Sequence, residues 1–393
     1  MGRANAGAVV DAGADSLWWN PASIGGSGRE AYVGVVGRTS SVSLTNAGST
    51  LSPPGQAAIP VGGDSRAGSP EPDLVSPTVA VVVPLTDRLT VGLSASEPYR
   101  LHNDLPATAF SRYDTIRSRI ETDAFQGVVG VRVADGLNLG AAVEAQRTRA
   151  ALVYASPNLA PGVPDGRLAL SGHGWNFGWS AGLRWTEGPF SLAASYRSVV
   201  KHDLAGTIAL SGLAAPLDTA NFTAPASFGF NSPWMASVGG RWAVLPQLSL
   251  SAQADRIGWS RYDAVHLAFG GQSQAIPQQY RDVTRLSLGA EYRLDPRLVL
   301  RAGLAWDPTP TPADAREAGV PDADQTVYAA GLTVALVPNA KIDAAVSYAH
   351  LARTALNHDL IFYPGTPAQT TGRLQGWVDG GQFTAGAALR IEF

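Results

Sequence analysis

Among side chains able to do covalent chemistry, cysteine is missing altogether and the six histidines are scattered. His102, His173, His202, His266, His350 and His358 stand singly, none at the i, i+4 spacing of a zinc-binding helix, so no metal site is expected. No Gly-x-Ser-x-Gly segment announces a serine nucleophile, and a triad would have to be assembled from distant segments. We therefore expect neither an enzyme nor a cofactor. What remains is arginine, whose guanidinium can hold a carboxylate or phosphate through two parallel hydrogen bonds. Arg147 and Arg149 lie two residues apart, so in an extended strand they share one face, which we expect to be the inner one.

The elements that must position such residues are strands. Hydrophobic residues at 45% and charged residues at 16% suit a large core or a lipid-facing wall equally. A net charge of −3 offers no basic face for nucleic acid. Arg, Asp, Gly or Pro interrupts every apolar run before about 18 residues, so no helical membrane span is expected. Instead a period of two recurs. Phe383, Ala385, Ala387, Leu389, Ile391 and Phe393 alternate with small or charged residues, as do Leu286, Leu288, Ala290, Tyr292 and Leu294, and Trp175, Phe177, Trp179, Ala181, Leu183 and Trp185. A soluble strand does this once or twice. Many such segments of about ten residues are what a barrel with a lipid-facing outside and a polar inside requires.

Connections alternate in length. Short ones fall at Thr86-Asp87, Asp135-Gly136, Glu187-Gly188, Leu245-Pro246, Asp295-Pro296 and Pro338-Asn339. Long ones are expected at 47–74, 102–114, 154–174, 201–225, 261–280, 307–324 and 352–378. Six turns and seven loops give an all-β, antiparallel transmembrane barrel of about 14 strands, with both ends on the short-turn side. A large β-sandwich or propeller would not produce that alternation. Trp175, Trp185, Trp234, Trp242, Trp259, Trp306 and Tyr348 sit near strand ends, where interfacial girdles belong.

Residues 1–28 break the pattern. Small residues lead into Asp15-Ser16-Leu17-Trp18-Trp19-Asn20-Pro21-Ala22, and a barrel of this size has room for a plug. We expect residues 1–28 to form a hatch in the lumen and 29–393 the barrel. Met1 runs straight into Gly2-Arg3-Ala4-Asn5 without a secretory signal, so an exported chain would appear here in trimmed form.

Several motifs together resemble the FadL-type family: the Gly2-Arg3-Ala4 start, Asn20-Pro21-Ala22, Trp175-Asn-Phe-Gly-Trp179-Ser-Ala-Gly182, Ser195-Tyr196-Arg197-Ser198, Pro233-Trp234-Met235, Tyr280-Arg281-Asp282 and Pro321-Asp322-Ala-Asp324. They follow the family's order over nearly the whole chain. The resemblance implies an outer-membrane transporter of long-chain fatty acids or hydrocarbons, with a hatch, a basic residue at the position of Arg281, and a kinked wall at Glu97-Pro98-Tyr99.

These readings combine into an expected route. Apolar substrate would be caught on long loops by Leu159, Leu168, Leu170, Leu210, Leu213, Leu217 and Phe222. It would meet Arg281, Arg147 or Arg149 in the lumen and leave sideways at Glu97-Pro98-Tyr99, where Pro98 cannot donate to a neighbouring strand. Asn20 and Pro21 of the hatch would gate that gap. Long-chain fatty acids are the expected cargo; aromatic or terpenoid hydrocarbons, a general diffusion porin and a surface adhesin or phage receptor are the alternatives. The other expected partners are outer-membrane lipid and lipopolysaccharide, around a monomer, since a closed barrel has no edge to pair.

Overall fold

The structure, a computed structural model, describes residues 1–68, 74–160 and 162–393. Fourteen antiparallel strands close into a barrel. They are β1 (Glu30–Ser40), β2 (Leu74–Pro84), β3 (Leu89–Asp104), β4 (Arg117–Ala134), β5 (Leu137–Ser156) and β6 (Gly166–Glu187). Four strands follow in two pieces each: β7 (Phe190–Arg197 and Lys201–Ser211), β8 (Phe222–Asn231 and Trp234–Ala243), β9 (Leu248–Gly258 and Ala264–Phe269) and β10 (Gln272–Pro277 and Val283–Arg293). β11 (Leu298–Asp307), β12 (Gln325–Val337), β13 (Ala340–Phe362) and β14 (Thr370–Glu392) complete the wall. β14 pairs with β1, from Glu30 opposite Glu392 to Ser40 opposite Gln382, and closes the cylinder.

The six expected tight turns are present. At Asp135-Gly136 the glycine has φ of 75°, the left-handed conformation a two-residue hairpin turn needs. Four of the seven expected long loops are largely strand. β6 and β7 continue through much of 166–211, Ala264–Phe269 pairs with Gln272–Pro277 as a hairpin, and β13 and β14 run on to Phe362 and Thr370. The reason is backbone satisfaction, because a strand leaving the bilayer keeps its hydrogen bonds most cheaply by staying in the sheet.

Side chains alternate across the wall. Val33 and Val35 on β1, Phe125 and Val129 on β4, Val143 on β5 and Phe177 on β6 point outward and are exposed, as lipid-facing residues must be. Their neighbours Ala124, Val128, Ala142 and Asn176 point inward and are buried.

The interior is occupied by the start of the chain. Ala6, Val9, Val10, Leu17, Asn20, Ala22 and Ile24 are almost wholly buried, in turns and short 3-10 segments: Pro21–Ile24 lies against β4, β5 and β6, Ala14–Ser16 against β1 and β2, and Val9 and Val10 pack on Ala193 of β7. Opposed glycines make room for them. Gly130, Gly140 and Gly182 face one another across β4, β5 and β6, and a Cβ at Gly140 would overlap the Pro21–Ala22 peptide. Ion pairs fasten the segment: Asp11 binds Arg3 and Arg241, and Asp15 binds Arg390 at 3.0 Å. Burial pushes the Asp11 carboxyl up, but the two guanidiniums outweigh it and hold it below the usual carboxylate range. Asp15 lies above that range, because burial exceeds what Arg390 gives back.

Candidate functional site

Above this segment, toward the long connections, lies a cavity of about 520 Å³. Its walls are Ser76 and Thr78 of β2, Glu97–Leu101 of β3, Ile120 and Thr122 of β4, the β7–β8 side chains His202 and Phe230, and Trp259, Tyr262 and Tyr280 from the β9 and β10 breaks. The aromatic rings form one connected group. Phe230 meets His202 at 4.6 Å and Tyr262 at 6.0 Å between centroids, and Tyr262 meets Tyr280 at 5.0 Å. Burial pushes the Tyr262 and Tyr280 hydroxyls far up, so both stay neutral in any physiological medium. Such a chamber suits an apolar chain.

The wall beside the cavity is incomplete. β2 and β3 pair only between Val79–Pro84 and Thr90–Ala95. Beyond that, among the described residues, 74–78 of β2 pair only with β1, and 96–104 of β3 pair only with β4. The cause sits at Glu97-Pro98. Ser96 is opposite Ala124 and Tyr99 is opposite Thr122, so β3 carries one extra residue and bends away. Arg100 bridges the separated strands, its Nη1 donating to the Val75 carbonyl at 2.8 Å and to the Glu97 carboxylate at 2.7 Å. The kink expected at Glu97, Pro98 and Tyr99 therefore lines the cavity at a gap in strand pairing.

The remaining expected residues divide. Leu168, Leu170, Leu210 and Phe222 come together, but on strands and not on loops. Leu168 faces Leu210, and Leu210 faces Phe222, on an inward apolar surface with Leu204, Ile208, Phe228 and Leu267. Leu213 and Leu217 are buried in the β7–β8 connection and Leu159 is half-buried in the β5–β6 connection. Arg147 and Arg149 are corrected: they share the parity of Leu139 and Val143, point outward, and Arg149 pairs with Glu121 and Asp123. The shared face is the outer one, and because the strand outlasts the bilayer, charge is tolerated there. Arg281 is also corrected. Its side chain is exposed and does not line the cavity, whereas its neighbour Tyr280 does. Asn20 and Pro21 lie lower than the gap, against Gly182 and Gly140, with Asn20 Nδ2 donating to the Val9 and Leu183 carbonyls at 2.8 and 3.1 Å.

Two residues were missed. Arg38 points inward from β1 and lines both the large cavity and an adjoining one of about 190 Å³. Among the described residues it has no carboxylate partner, unlike Arg100, the other arginine of these cavities. Its even-numbered register with Gly34 and Val36 was the available signal. Arg197 is the second: it pairs with buried Glu144 at 2.6 Å, and its guanidinium lies 4.5 Å from the Trp18 ring. Among the described residues no His, Asp and Glu cluster could hold a metal ion.

The profile of the family described as outer membrane protein transport protein (OMPP1/FadL/TodX) matches residues 1–393. The long-chain fatty acid transport protein of Escherichia coli K12 is 28% identical over 312 residues, 76% of this chain and 67% of that protein. The counterpart from Escherichia coli CFT073 is 29% identical over 283 residues, 67% of this chain and 60% of its own length, so the match spans about two thirds or less of these relatives. A Pseudomonas aeruginosa FadL homologue of known structure superposes with a TM-score of 0.84 at 23% identity, covering 100% of this chain and 97% of that one. The Ralstonia pickettii toluene transporter TbuX gives 0.69 at 20% identity, over 100% and 98%. The chain belongs to the outer membrane protein transport family (OMPP1/FadL/TodX), a fourteen-strand barrel of the bacterial outer membrane.

Proposed function

We propose that this protein takes up hydrophobic small molecules, long-chain fatty acids foremost, and is a transporter and not an enzyme. The observation that carries the reading is the cavity of about 520 Å³ opening where β2 and β3 stop pairing. Substrate is caught on the inward apolar face of Leu168, Leu170, Leu210 and Phe222, with Leu159, Leu213 and Leu217 at its rim. It settles among Phe230, Tyr262 and Tyr280 and leaves sideways past Glu97, Pro98 and Tyr99. An apolar molecule gains little from a watery channel, and residues 1–28, acting as a hatch, block that route downward. The relatives' names include both fatty acid and toluene transport, which makes hydrocarbon uptake the second reading.

Arg38 separates the two. A guanidinium that has no carboxylate partner among the described residues favours a substrate with an acidic head. Arg38→Ala is expected to weaken binding of a long-chain acid roughly tenfold, the low end for a hydrogen bond to a charged group. Binding of a toluene-like hydrocarbon should not change. Native mass spectrometry of the detergent-solubilised barrel with both ligands checks this; equal loss for both, or for neither, contradicts it.

The exit is tested by deleting Pro98, which restores one-to-one register between β3 and β4. Uptake into proteoliposomes is expected to fail while the purified barrel still binds the acid. Normal uptake by that variant would remove the sideways route.

A further inference from the structure

The outer wall of β4, β5 and β6 carries a second feature, independent of what passes through the lumen. These strands run for 18, 20 and 22 residues, about twice the 9–11 needed to cross a bilayer. Register shows where the greasy band ends. One outward row is Phe125, Ala145 and Phe177; the next is Asp123, Arg147 and Trp175; the one beyond is Glu121, Arg149 and His173. Lipid-facing aromatics thus give way within one row to charge, at the height of the outer-leaflet head groups.

The charges are unbalanced in favour of cations. Arg149 lies 3.2 Å from both Glu121 and Asp123, and Arg117 and Arg119 share Asp104 at 3.0 and 2.5 Å. Arg147 is exposed and, among the described residues, has no hydrogen bond or ion pair. Its donors stand free beside Trp175, roughly 7 Å along the strand from Arg149. A planar guanidinium at this height, next to rings on which acyl chains lie, matches a phosphate on a lipid.

We propose that Arg147, with Arg149 and Trp175, forms a binding site on the outer wall for the phosphorylated glycolipid of the outer leaflet. The phosphate accepts from Arg147, while Glu121 and Asp123 hold Arg149 upright beside it. The acyl chains pack against Phe125 and Phe177. The site anchors the wall next to the β2–β3 gap in the leaflet that receives anything leaving there.

The test titrates the full-length barrel with lipid A and with its fully dephosphorylated form, reading occupancy by native mass spectrometry. The unaltered chain is expected to prefer the phosphorylated lipid. Arg147→Gln should lower that occupancy roughly fivefold, the effect of one basic residue at a charged membrane surface, and Arg147→Lys should keep most of it. Binding of a long-chain acid in the lumen should be the same in all three. Equal affinity for the two lipids, or no loss in Arg147→Gln, overturns the proposal. The comparison of the two lipids on the unaltered chain stands whether or not the glutamine variant folds.

Discussion

Replacing Gly140 with valine is expected to dislodge residues 1–28, the proposed hatch, and open an ion-conducting path through the barrel. A Cβ at Gly140 meets backbone, the Pro21–Ala22 peptide, and backbone cannot rotate aside as a side chain would. The peptide is pinned in turn, since Asn20 is fully buried, accepts from the Ala22 N–H at 2.9 Å and donates to Val9 and Leu183. Overpacking of this kind costs about 1–3 kcal/mol. That raises the displaced population roughly 5- to 150-fold, since about 1.4 kcal/mol is a factor of ten. Outward-facing Val143→Ala is the control, because it touches only lipid. Planar-bilayer conductance checks the prediction, and conductance equal to that of the unaltered protein would show that the glycine row is not the seat of the hatch.

Arg197→Met is expected to destabilise the protein by about 3–5 kcal/mol, the usual cost of stranding one partner of a buried ion pair. The Glu144 side chain is 1% exposed, and losing Arg197 leaves it, among the described residues, only Gln146 as a partner. The same substitution removes the bond to the Trp18 carbonyl at 2.5 Å and the guanidinium over its ring, so the hatch loosens as well. Pairing it with Glu144→Gln should restore much of the loss, because the stranded charge is gone. Urea unfolding of the three variants separates these terms; a double variant as unstable as the single one would assign the effect to Trp18 alone.

Turn positions and strand number were legible because lipid demands an unbroken period of two and hairpins demand turn residues. Asp135-Gly136 and Asp295-Pro296 announce themselves regardless of context. Strand length above the bilayer was not legible. In Lys201–Ser211 no lipid enforces a greasy outer face, so exposed Lys201, Asp203 and Thr207 read as loop although the segment pairs. Strand parity was read the wrong way round for Arg147 and Arg149: they share the odd positions of Leu139 and Val143, which face outward. The bulge at Pro98 could be anticipated from proline's missing N–H; that it frees β2 from β3 depends on register between distant segments. Arg38 escaped notice because an isolated arginine in a strand means nothing until the absence of an acid opposite it is known, and Thr384 and Leu74 stand there instead.

In the proposed uptake route a hydrophobic molecule sits between the aromatic chamber and the unpaired edges of β2 and β3. Photo-cross-linking with a long-chain acid bearing a diazirine at its tail, followed by peptide mass spectrometry, tests it most directly. Labels are expected on Tyr99, Phe230 or Tyr262 and along Ser76 to Thr78, lost on competition with unlabelled acid. Labels confined to the charged interface around Arg3, Asp11 and Arg301, or spread without competition over the outer wall, would contradict it.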